Sequence, residues 1–140
     1  MTRATLLALA ERVEAATGAD RALAKDIYRA LFDAPELGHP NGYGWREDDS
    51  GWWLATGEDA RTPPKTIYPP KWLTSLDAAM SLVPSGLILR NYQSSRFVPH
   101  SCEVALSWAH GGWLGNSDHS FALALTAACL RAIAGSLPND

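Results

Sequence analysis

A chain of 140 residues with 46% hydrophobic and 19% charged content reads as one folded domain with enough apolar mass for a core, which excludes a disordered polypeptide. Its formal charge of −3 argues against duplex nucleic acid as a partner, since binding to the phosphate backbone is driven by clustered Lys and Arg. No apolar run approaches a membrane span and Met1-Thr2-Arg3-Ala4-Thr5-Leu6 has no signal-peptide apolar region, so no membrane association is expected and the chain reads as cytosolic.

Thr2 caps a first helix whose apolar positions Leu6, Leu9, Ala10, Val13 and Ala16 recur at three and four residues, and Gly18 ends it. Asp20 caps a second helix with Leu23, Ile27, Ala30 and Leu31 on one face, closed by Pro35. Across residues 36–70 the density of Pro and Gly forbids a helix, and residues 51–56 are the one strand expected there. Thr74 caps a third helix, with Asp77 at capping-box spacing, and Pro84-Ser85-Gly86 stops it. Residues 87–92 and 102–108 read as an antiparallel hairpin with its turn at Ser94-Ser95 and with Trp108 in the core. Gly111-Gly112 and Gly115-Asn116 mark a loop. Ser117 or Asp118 then caps a last helix that is apolar nearly all round and ends at Gly135, so it is expected to be buried on most sides. The sum is a single α+β domain over residues 1–140, with four helices covering a small antiparallel sheet of three or four strands. Cys102 and Cys129 read as small buried thiols with no redox role.

The helix Ser75-Leu76-Asp77-Ala78-Ala79 runs into Val83-Pro84-Ser85-Gly86, and an Ala/Leu/Cys-rich helix closes the chain, from Ala122-Leu123-Ala124-Leu125 through Ala128-Cys129-Leu130-Arg131-Ala132. In this order the segments resemble the phage ABA sandwich domain family. The resemblance covers the helical N-terminus and roughly residues 68–134, and it implies an α-β-α sandwich and a phage origin, hence the host cytoplasm. The family has no assigned activity, so no catalytic residue is carried over. Residues 38–70 match nothing in it and stand as an aromatic, Pro- and Gly-rich insertion.

His39, His100, His110 and His119 are scattered without the paired spacing of a zinc site, so no metal or other cofactor is expected. There is no Gly-x-Ser-x-Gly elbow, and the glycines at 111–115 lack the Lys of a phosphate-binding loop. The strongest functional hint is six tryptophans, at 45, 52, 53, 72, 108 and 113. Trp52 and Trp53 are adjacent in an extended segment, so their side chains point to opposite faces and one is left available to a partner. The hairpin adds Arg90, Tyr92, Arg96 and His100. Rings that stack on a base beside Arg that grips phosphate suit a small nucleotide-like ligand, and the same enrichment marks a protein interface. The expectation is a non-catalytic binding module, a phage accessory protein that acts in counter-defence by sequestering a nucleotide-derived host signal. A first alternative is a protein-binding inhibitor of a host defence or nuclease complex. A second is a small hydrolase built on the acidic turns Glu47-Asp48-Asp49 and Glu58-Asp59 that flank Trp52-Trp53. The apolar last helix and a short sheet edge make self-association reasonable.

Overall fold

A computed structural model describes residues 2–32, 43–45, 52–54, 65–67, 69–93, 100–108 and 111–137, with residues 32, 43–45, 52–54, 65–67 and 91–93 described as backbone alone. Helix α1, Arg3–Ala15, begins where Thr2 Oγ1 accepts the Thr5 N–H, and its buried residues Leu6, Leu9, Ala10 and Val13 form the stripe that the spacing predicts. It stops before Gly18, because Ala16 is already extended. Helix α2, Arg21–Phe32, begins with Asp20 Oδ1 accepting the Leu23 N–H at 3.0 Å, and it buries Leu23 and Ile27. The two helices are tied on their outer side by Arg12 Nη1 and Asp26 Oδ2 at 2.9 Å.

Two expected caps move. Helix α3, Leu76–Met80, is capped by Ser75, whose Oγ accepts the Ala78 N–H, and not by Thr74. The reason lies one turn earlier: the Thr74 and Ser75 N–H groups both donate to the Lys71 carbonyl, so Thr74 belongs to that turn and the helix starts after it. Helix α4, Phe121–Gly135, is capped by Ser120, with its Oγ accepting the Leu123 N–H. Ser117 shapes the approach instead, its Oγ accepting from the His119 and Ser120 N–H groups.

The strands also correct the sequence reading. The described residues within 36–70 hold three strands where one was expected, β1 (Tyr43–Trp45), β2 (Trp52–Leu54) and β3 (Lys65–Ile67), paired antiparallel in that order. Runs of three residues are too short to show a period in sequence, and only their partners define them. A separate sheet is built from β4 (Ile88–Gln93), β5 (His100–Ala105) and β6 (Trp113–Ser117). Strand β6 occupies the segment read as a glycine loop. Its register sets Cys102 opposite Gly115 and Val104 opposite Trp113, while β4 sets Leu89 opposite Val104 and Arg90 opposite Glu103. Trp108, expected in the core, is 78% exposed. Strand β5 ends at Ala105, so Trp108 falls in the turn beyond it.

The α+β class holds: among the described residues there are four helices and a small antiparallel sheet on which helices pack. Helix α4 sits between β5–β6 on one side and α1 on the other, which is why Ala122 through Leu130, Ala132 and Ala134 are all buried. Strand and helix meet closely because position 115 is Gly: a Cβ there would lie 2.7 Å from the Ala128 nitrogen. Cys102 and Cys129 are buried and unpaired thiols, as read from the sequence. No described helix is long and apolar enough to cross a membrane.

Candidate functional site

Of the six residues read as a ligand site, the structure describes the side chains of Arg90 and His100 alone. Trp52 and Trp53 occupy successive positions of β2, opposite Ile67 and Thr66, and Tyr92 lies in β4. Arg96, the turn at Ser94-Ser95 and the acidic turns at 47–49 and 58–59 fall outside the described residues. Arg90 donates from Nε to Glu103 Oε1 at 2.6 Å and from Nη1 to the Leu106 carbonyl at 3.2 Å. His100 meets the Phe121 ring edge-on at 4.7 Å, and its Nδ1 is buried with no hydrogen-bond partner among the described residues. Glu103 and His100 are three residues apart on β5, so strand alternation sets the Arg90–Glu103 pair and His100 on opposite faces of the sheet. One pocket cannot use both.

A different pair of segments forms the larger described cleft. The Trp72 N–H donates to the Pro70 carbonyl at 2.9 Å, and the Lys71 carbonyl accepts from the Thr74 and Ser75 N–H groups, so residues 70–75 fold into a tight turn. That turn is anchored on two sides. The Trp72 ring, 1% exposed, stacks on Tyr28 of α2 with centroids 6.0 Å apart, and the Trp72 carbonyl accepts from Thr126 Oγ1 of α4 at 2.9 Å. Between the start of α2 and this turn lies a cleft of about 310 Å³, with Ala19, Asp20, Arg21 and Ala24 on one wall and residues 69–74 on the other. Arg21 and Lys71 are exposed cations on opposite walls. The Asp20 carboxylate already accepts the Leu23 N–H, and the helix dipole of α2 adds positive potential at that end. Pro69 and Pro70 beside two cations, with the Asp20 carboxylate committed to its helix cap, suit a small apolar body that carries an anionic group. In the sequence Trp72 stands only as one of six tryptophans, and Lys71 carries no pattern of its own. Residues 20–24 carried no signal that would bring them to the same place.

A second cleft of about 170 Å³ is lined by Leu76, Leu89, Cys102, Phe121 and Leu125, all apolar but for the thiol. Burial pushes the Cys102 thiol up to about 11. It pushes Cys129 to about 12, with the neighbouring Cys102 adding to the shift. Neither is a thiolate at neutral pH, so neither is a ready nucleophile. Among the described residues no group of three or more His, Cys, Asp or Glu is placed to hold a metal ion.

No family model, curated protein or solved structure matches the chain.

Proposed function

We propose that this protein is a small phage accessory protein and a non-catalytic binding module, which takes a mononucleotide-sized anion in the cleft between α2 and the 69–74 turn. The observation that carries this reading is the cleft of about 310 Å³, mainly apolar in its lining and with Arg21 and Lys71 among the residues that line it. That volume stands at the lower end of the range for small-molecule sites, roughly 300–1,000 Å³, which favours one base and one phosphate group over a dinucleotide. In a phage setting such a module sequesters a nucleotide-derived signal of the host. Isothermal titration with mononucleotides, cyclic nucleotides and inorganic phosphate tests it. Binding to a mononucleotide, weakened about tenfold or more by Lys71→Ala, supports the reading; no heat with any of them, or unchanged affinity in both Lys71→Ala and Arg21→Ala, removes it.

A second reading, an inhibitor that binds a host protein, is favoured by Trp108, which is 78% exposed at the end of the sheet. Aromatic residues of this kind anchor protein interfaces. Loss of a co-purifying host protein on Trp108→Ser, with nucleotide binding absent, would favour it over the first.

A further inference from the structure

Among the described residues the β4–β5–β6 sheet ends on β6. Alternate residues of an edge strand turn their N–H and C=O groups away from the sheet, where they invite another strand. On β6 these residues are Leu114 and Asn116, and the two groups that flank Gly115 are both occupied. The Asn116 N–H donates to Glu14 Oε2 at 2.8 Å, and the Leu114 carbonyl accepts from Arg131 Nη1 at 2.8 Å. Glu14 comes from the end of α1 and Arg131 from late in α4, and they are joined twice, Nη2 to Oε1 at 2.5 Å and Nη1 to Oε2 at 2.7 Å. One bidentate ion pair therefore presents an acceptor and a donor to the edge, as the C=O and N–H of a neighbouring strand would.

We propose that the Glu14–Arg131 pair is a latch. It stands in for a fourth strand, and it holds closed an edge that otherwise takes β6 of a second copy of this chain. Symmetry selects that occupant. When two β6 strands meet antiparallel about Gly115, the Asn116 N–H of each copy meets the Leu114 carbonyl of the other, which are the two groups the latch occupies. Leu114, 56% exposed beside this edge, is the side chain that the contact covers.

Sedimentation velocity tests the latch, with circular dichroism to verify the fold of each variant. The wild type is expected to sediment as one copy. Glu14→Ala and Arg131→Met are expected to shift to two copies, and Asn116→Pro added to Glu14→Ala is expected to restore one, because an outward-facing proline removes the donor without touching the inner ladder. A folded Glu14→Ala or Arg131→Met chain that stays monomeric overturns the proposal. So does a dimer that persists after Asn116→Pro. A further reading needs only the wild type: its Asn116 amide is expected to exchange slowly with solvent, and exchange as fast as that of an unbonded surface amide overturns the latch as well.

Discussion

Replacing Gly115 by Ala puts a methyl group where α4 already lies. The added Cβ falls inside contact distance of the Ala124 carbonyl oxygen and 2.7 Å from the Ala128 nitrogen. Both are backbone atoms of the helix and cannot rotate aside, so strand and helix must separate by on the order of an ångström along their contact. Overpacking of a tight core costs about 1–3 kcal/mol, and rigid neighbours put this case at the upper end. The entropy recovered on replacing glycine, about 0.5–1 kcal/mol, offsets only part of it. A net loss of about 2–2.5 kcal/mol is a large share of a total stability of about 5–15 kcal/mol. For a chain of this size it corresponds to a fall in Tm of roughly 6–12 °C. Thermal and urea unfolding followed by far-UV circular dichroism give the comparison, and two other glycines calibrate it. Among the described residues nothing lies within 4 Å of a Cβ added at Gly111, so Gly111→Ala is expected to stay within about 0.5 kcal/mol of the wild type. Gly86 is equally open in space but sits at φ +87°, so Gly86→Ala is expected to lose about 1–2 kcal/mol from backbone strain alone. A Gly115→Ala chain that melts within about 2 °C of the wild type, or that loses less than Gly86→Ala, would refute the close strand-on-helix contact.

The Glu14 carboxyl should make stability depend on acid. Burial by itself would raise its pKa, but the Arg131 side-chain hydrogen bonds, the Asn116 N–H and the Arg131 charge together hold it below the usual value, and Arg131 is correspondingly raised. A carboxyl lowered by folding adds stability that is fully present above its unfolded pKa, about 4.3, and is lost as pH falls through the folded value. The stability advantage of the wild type over Glu14→Gln, read from urea unfolding at several pH values, is therefore expected to be constant near neutral pH and to shrink below about pH 4; an advantage that grows on acidification would contradict it. Thr126→Val removes the donor to the Trp72 carbonyl in a fully buried setting and is expected to cost about 1–3 kcal/mol, measured by the urea midpoint. Since that bond anchors the 69–74 turn, any ligand heat in titration should weaken with it. Both thiols are expected to resist Ellman's reagent at pH 8 in the native chain and to react fully in denaturant, because burial pushes them to about 11 and about 12; rapid native labelling of either would show a more open α4–β5 contact.

Helices were legible in the sequence because their signals are local. The Thr2 and Asp20 caps, the three- and four-residue spacing of Leu6, Leu9 and Val13, and the apolar surface of α4 all act within a turn or two. Even so, the turn at 71–74 moved one cap from Thr74 to Ser75, since a carbonyl that two N–H groups can reach leaves the first of them outside the helix. Strands were less legible. Tyr43–Trp45 and Lys65–Ile67 carry no readable period, and Trp113–Ser117 carries a glycine that composition assigns to a loop and that the approach of α4 assigns to a strand.

The candidate site shows the same division. The sequence by itself determined the α+β class, the helical stretches, the burial of both cysteines and the wealth of indole and cationic groups, because each follows from composition or from contacts within a few residues. Tertiary structure alone decided that Arg90 answers Glu103, that Trp108 faces solvent, that Asp20, Arg21 and Lys71 line one cleft, and that Glu14 and Arg131 bond to the edge of β6. These pairings join residues 13 to 117 positions apart, with no local pattern to announce them. Only the packing of α4 between the sheet and α1 brings the most distant pair within hydrogen-bonding reach.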